Sequence, residues 1–250
     1  MLFMKTRFTT FTRIPPTAVA FALAASGLVG TAAQASDAFT DAMTQAYGPY
    51  RVALFKTNSN SQAESSQAIA QAQQSWNQLR SQFGVKPPAP YDRDGKFMAS
   101  LDDVVKVYAR AGEQAAANQL TAAHETLEAA RDIMAELRRR NQVIVYSDHM
   151  NAYHAEMEEV LINGPKILAQ PNGLMQLTAM AGALEYLSKK LTQEAPAGLA
   201  KDPEFDALVK PVLKSVADLQ AALYTQDAQK VKDAMGKVKQ PYSKFFLKFG

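Results

Sequence analysis

No cysteine occurs among the 250 residues of the chain. Disulfide staples, thiolate metal centres and thioether-attached haem are therefore excluded, and a metal ion would have to be held by His, Met, Asp, Glu or Tyr. Imidazole is scarce as well, with His124, His149 and His154 the only histidines. Glycine and proline number 12 each and gather in a few short stretches, which leaves room for long unbroken helices between them. Strand-like alternation is missing, as are a glycine-rich phosphate loop, a G-x-S-x-G elbow and an H-E-x-x-H pair. These absences leave an all-α reading, and no enzymatic activity is expected.

One apolar run stands out, and it lies near the N-terminus. Lys5, Arg7 and Arg13 precede an apolar stretch from Ala18 to Val29, and Ala33-Gln34-Ala35 supplies a small-x-small pattern. Residues 1–35 read as a secretory signal peptide, because the run is too short and too rich in Gly and Ala for a retained anchor. The expected product is a soluble periplasmic chain, cut near Ala35/Ser36, with residues 36–250 forming one domain. No transmembrane segment is expected in it. About 215 residues bury an adequate core without staples.

Removing that segment changes the charge. The chain has 27 basic and 24 acidic residues, and the surplus consists of Lys5, Arg7 and Arg13. Residues 36–250 are then formally neutral, so nucleic acid is not an expected partner. The remaining bias is local, with Lys230, Lys232, Lys237, Lys239, Lys244 and Lys248 crowding the C-terminus. Cations there suit the negative end of a helix dipole.

Apolar periodicity predicts helices over 38–56, 60–83, 97–112, 114–140, 147–163, 173–192, 203–223 and 227–248. Between them lie the polar turn Asn58–Ser61, the proline-stiffened stretch Gly84–Tyr91, and breaks at Asn163-Gly164-Pro165, Pro171-Asn172-Gly173 and Ala195–Gly198. Ser147 suits an N-cap, with Asp148 in the positive first turn. Three helix ends, at Ala53–Thr57, Val107–Gly112 and Ala222–Gln226, lead into a following helix in comparable fashion. Stacked antiparallel hairpins would account for this faint repeat. The expected fold is an antiparallel helical bundle built from hairpins, resembling a four-helix bundle with extra helices.

Every histidine falls between Thr121 and Glu158. His124 is followed at i+4 by Glu128 and His154 at i+4 by Glu158, so each pair shares a face of its own helix. Leu120, Ala123, Leu127, Ala130, Met134 and Leu137 form the apolar stripe of the first helix, with His124 and Arg131 on its edge. Met150, Tyr153, Met157 and Val160 form that of the second, with His154 on its edge. His124, Glu128, His154 and Glu158 would make a nitrogen–oxygen set suited to iron, zinc or copper(II), and Met150 and Met157 would shift it toward copper(I). Copper, iron or noncovalent haem are the expected cofactors. An extended link at 141–146 would let the two imidazoles face one cavity. His149 lies about 140° round the helix from His154 and does not join them. The competing expectation is a non-catalytic structural or interaction module with a periplasmic protein partner, in which packed histidines bond to neighbouring acids and arginines.

The stretch Ala221–Phe249, AALYTQDAQKVKDAMGKVKQPYSKFFLKF, resembles the last two helices of the cytochrome c′ type four-helix bundles. The resemblance covers about thirty residues and implies a four-helix-bundle fold. In that family a C-x-x-C-H-x-x-F motif attaches haem. Tyr242, Phe245, Phe246 and Phe249 stand at the corresponding positions here, so both cysteines and the axial histidine are missing. Aromatic core is expected in their place, with no covalent haem.

The signal-peptide reading has a direct test. Intact-mass analysis of the protein from its native host should give a species beginning at or within a couple of residues of Ser36, and a retained Met1 would contradict it.

Overall fold

The computed structural model describes residues 37–250, which belong to one compact unit. The expected signal peptide lies outside the described residues. Among them nine α-helices are present: α1 Ala38–Thr57, α2 Gln62–Phe83, α3 Phe97–Ala116, α4 Leu120–Arg140, α5 Tyr146–Leu168, α6 Gly173–Gln193, α7 Pro203–Tyr224, α8 Ala228–Met235 and α9 Lys239–Phe249. Two short 3₁₀ turns, Tyr91–Arg93 and Leu199–Lys201, sit in the longer connections. No strand occurs among the described residues, so the fold is all-α.

The helices close into two successive four-helix arrangements. In the first, α1 packs on α2, α2 on α3, α3 on α4 and α4 back on α1. In the second, α5 packs on α6 and α6 on α7, and the fourth position is shared by α8 and α9, which close onto α5 and α7. Each has its own apolar core. Trp76, Leu101, Tyr108 and Leu127 lie in the first, and Tyr153, Leu184, Val212 and Phe245 in the second. The Trp76 indole donates from Nε1 to the Leu101 carbonyl at 3.0 Å, so its single polar group is satisfied in the core. Phe246 packs against both cores.

Local chemistry starts and stops the helices. The Asp37 carboxylate caps α1 by accepting from the Phe39 and Thr40 amides at 3.1 and 2.8 Å. Asp202 with Pro203, and Asp227, do the same for α7 and α8. Asn60, Asn118 and Gln226 take left-handed φ values of 55°, 57° and 56°. Each follows the end of α1, α3 or α7 by two or three residues, so three hairpins reverse through one left-handed residue, although Val107–Gly112, the second of the similar stretches in the sequence, lies inside α3 and not at its end.

Three expected boundaries move. The break before the histidine-bearing α4 falls at 117–119, where Asn118 is left-handed, and not near residue 113. The last expected helix divides at 236–238 into α8 and α9. Asn163-Gly164-Pro165 does not end α5, which continues to Leu168 with Pro165 inside it. Pro165 is exposed, so the chain accommodates its missing N–H on the wet side of the helix. Gly164 is buried, and a Cβ there would stand 2.6 Å from Met235 Sδ and 3.4 Å from Leu177 Cδ2. Its small size sets how closely α5 approaches α6 and α8.

The cap of α5 also differs from expectation. Its N-cap is Val145, not Ser147, and Asp148 reaches back to accept the Val145 amide at 3.0 Å. The same carboxylate receives the Arg138 guanidinium, with Nε 3.0 Å from Oδ2 and Nη2 on Oδ1. Arg138 is only 2% exposed. Just before the link, Arg140 bonds Asp94 at 2.9 Å and Ser100 at 2.9 Å, and Asn141 also donates to Asp94. The link is therefore held at both ends as it carries the chain from the first four-helix arrangement into the second. Helices α4 and α5 are not a packed hairpin, so the axial offset that a hairpin would impose on His124 and His154 does not arise.

Removing one member of a buried ion pair leaves the other uncompensated, which costs about 3–5 kcal/mol. Asp148→Ala also removes the α5 cap. Urea unfolding followed by far-UV circular dichroism should show a loss of that size, and a change under about 1 kcal/mol would show that Arg138 finds another partner.

Candidate functional site

A cleft opens where α1, α4, α5 and α9 meet. About 70 Å³ of it admits the centre of a water molecule. Leu54, Phe55 and Asn58 line it from α1, His124, Glu128 and Arg131 from α4, and Asn151, His154 and Met157 from α5. Helix α9 adds Lys239, Tyr242, Ser243, Phe246 and Leu247. The two imidazoles thus share one cavity, as the sequence led one to expect.

Their nitrogens are already occupied. His124 Nδ1 lies 3.1 Å from the Leu54 carbonyl and 2.9 Å from Thr57 Oγ1. A carbonyl only accepts, so Nδ1 carries the proton and Nε2 keeps a lone pair. That lone pair faces the Asn58 amide nitrogen at 3.3 Å, with Glu128 Oε1 4.0 Å away. His154 has the opposite tautomer. Arg131 Nη1 donates to its Nδ1 at 2.9 Å, which places the proton on Nε2, 3.5 Å from Glu158 Oε1. The ring also stacks on Tyr242 at a centroid distance of 5.5 Å and 22° between planes.

The expected six-residue ligand set is not assembled. His124, Glu128, His154 and Met157 line the cleft, whereas Glu158 stands behind His154, bonded to Lys239 at 2.9 Å. Met150 is fully buried in the second core, where its carbonyl accepts from Tyr242 Oη at 3.0 Å. Among the described residues, no group of three or more His, Asp or Glu is placed to hold a metal ion. The physical reason is Arg131. Its guanidinium bonds His154 and stands 3.7 Å from Glu128, so a fixed cation lies among the groups a metal would need. His149 faces elsewhere, under the influence of Glu194 and Lys190.

Electrostatics follow from these contacts. The His154 hydrogen bond and the Lys239 ammonium hold the Glu158 carboxyl down at about 2 against burial, which opposes them. Burial lowers the proton affinity of His124, with Glu128 and the Leu54 carbonyl only partly offsetting it. Two donors remain open. Asn151 accepts from Tyr47 Oη at 3.2 Å through Oδ1, but its buried Nδ2 has no partner. A buried orphan of this kind costs about 1–3 kcal/mol. Arg131 commits Nε to Asp132 and Nη1 to His154, while no hydrogen bond from Nη2 occurs among the described residues.

Arg131 carried a legible signal, lying seven residues after His124 on the same helical edge. Lys239 read as a helix-end cation. Asn58 and Thr57 carried no signal, because only the packing of α1 against α4 brings them near His124, whereas Asn151 lies three residues before His154 on α5 and was overlooked.

Comparison with protein-family models, with curated proteins and with solved structures finds no match to the chain. At the positions set against the cytochrome c′ haem motif, Tyr242, Phe245 and Phe249 are buried in the second core, and Phe246 is half-buried between the two. These residues do not fit covalently attached haem.

Stability should depend on pH in two steps. His124 resists protonation when folded, so its contribution is complete above 6.5, falls as pH drops below 6.5, and levels off below its lowered folded value. His149 is lowered in the same direction and adds to that step. Glu158 contributes above 4.5, and the contribution is lost as pH falls from 4.5 toward about 2. Urea midpoints measured from pH 8 to pH 3 should show both declines. His124→Gln should shrink the first and Glu158→Gln the second; a flat profile through pH 6 would contradict the buried, neutral His124.

Proposed function

We propose that residues 36–250 are an exported, non-enzymatic helical-bundle module that binds a small organic ligand in the cleft between α1, α4, α5 and α9. The observation that carries this reading is Arg131 at the cleft wall, whose Nη2 makes no hydrogen bond among the described residues. Arg131 Nη2 is the donor that a molecule in the cleft can reach, and an acceptor on that molecule would complete its hydrogen bonding. A non-catalytic role agrees with the bonding. Both imidazoles are engaged at each nitrogen, the Ser243 hydroxyl donates back to the Lys239 carbonyl, and the Thr57 hydroxyl beside His124 meets its protonated Nδ1 and donates to its own helix carbonyls, so neither hydroxyl has a basic nitrogen to receive its proton. The metal reading draws less support, because Arg131 occupies the centre of the expected donor set. Noncovalent haem would need far more room than about 70 Å³.

A second reading is favoured by a specific set of contacts. Arg131–His154, Tyr47–Asn151 and Thr57–His124 tie α1, α4 and α5 together across the meeting of the two cores. On that reading the cluster is a structural weld and binds nothing.

One experiment separates the three. Protein purified from its native host is examined by native mass spectrometry, elemental analysis and absorption spectroscopy. The proposal expects a small organic compound released on denaturation, with no stoichiometric metal and no haem band. Stoichiometric copper or iron would restore the metal reading, and an empty protein would favour the weld.

A further inference from the structure

The groups left open in the cleft also indicate the chemistry of the occupant, an inference that rests on the ligand-binding reading above. They differ in sign. Arg131 Nη2 and Asn151 Nδ2 are donors without protein partners. Glu128 is an acceptor that receives no hydrogen bond, since its Oε1 stands 3.7 Å from Arg131 Nη1 and 4.0 Å from His124 Nε2. The second carboxylate, Glu158, is taken up by Lys239 at 2.9 Å and lies 3.5 Å from His154 Nε2. One cation and one anion, three residues apart on α4 and 3.7 Å from each other, thus stand side by side with hydrogen-bonding capacity to spare.

Among the residues that line the cleft, Arg131 and Lys239 are cationic and Glu128 anionic, with Asp132 and Glu158 paired to the two cations just outside it. A simple anion would meet the donors and then face the Glu128 carboxylate. A simple cation would meet Glu128 and then face Arg131. A molecule carrying a carboxylate and an ammonium satisfies both and brings no net charge into a half-buried site. The rest of the wall is apolar, with Leu54, Phe246 and Leu247, and with Phe55 42% exposed. Room of about 70 Å³ suits a few heavy atoms.

We propose that the cleft binds a small zwitterion, an α-amino acid with a short apolar side chain. Its carboxylate lies on Arg131, its ammonium faces Glu128, and its side chain rests on Leu54 and Phe246. Binding is non-covalent, and no bond is made or broken.

Titration calorimetry of the purified protein with three probes tests this. L-valine carries both charges, 3-methylbutanoate lacks the ammonium and isobutylamine lacks the carboxylate. Valine should bind at least tenfold more tightly than either of the others. Glu128→Gln should weaken valine at least tenfold while leaving 3-methylbutanoate unchanged. Glu128 makes no hydrogen bond whose loss would unfold the protein, and an unchanged urea midpoint confirms that the variant is folded. The zwitterion is overturned if 3-methylbutanoate binds as tightly as valine, or if Glu128→Gln leaves valine binding intact. Ser243→Trp, which fills the cleft from α9, separates this failure from failure of the broader reading. A native compound that is not a zwitterion but is lost from Ser243→Trp overturns the amino-acid assignment and leaves the cleft as a binding site. If no native compound is found and none of the probes binds, both fall.

Discussion

The organisation of the molecule depends on one buried guanidinium. Arg138 ends the first four-helix arrangement in chemical as well as positional terms: nearly fully buried, it requires an anion, and the anion it finds is the residue that caps α5. A buried cation without its partner is costly, so the end of α4 and the start of α5 are specified together. The five residues between them have little freedom, with Gln142 left-handed and Val145 extended. The direction in which the second set of helices leaves the first is therefore an electrostatic consequence, and with it the placing of His154 beside Arg131.

From that placing comes the polar cluster. Three side chains on α4 and two on α5 meet at the cleft although the two helices do not pack as a hairpin. Helix α1 closes the cluster from below with a carbonyl and a hydroxyl, and α9 closes it from the side with an ammonium and a stacked ring. The two tautomers are set by neighbours of fixed character, a carbonyl that can only accept and a guanidinium that can only donate. The cleft is consequently a place of prescribed polarity rather than a loosely filled gap.

Much of the fold could be read in the sequence, because helices follow from apolar spacing and turn chemistry, and both are local. The histidine faces were legible for the same reason: His124 with Glu128 and His154 with Glu158 are one turn apart. What the sequence could not convey were relations between elements. Asn163-Gly164-Pro165 looks like a stop, yet α5 runs through it because Gly164 lets the helix seat against Met235 and Pro165 faces solvent. Ser147 looks like a cap, yet Asp148 performs that task because Arg138 holds it there. The donor set looked fit for a metal because Arg131 was counted as a rim residue, and its reach to His154 depends on a helix 23 positions away in the chain.

Trp76 has a bearing on how the molecule is observed. It is the chain's single tryptophan, and it is sealed in the first core with its indole bonded to the Leu101 carbonyl. Intrinsic fluorescence excited at the indole band therefore watches the first core, while the tyrosines Tyr153 and Tyr242, tilted against each other at 5.0 Å in the second core, are silent at that wavelength. Agreement between the indole signal and the backbone signal would show that the two cores melt as a single cooperative body. An indole signal that lags or leads would make the tryptophan a built-in marker distinguishing one half of the protein from the other.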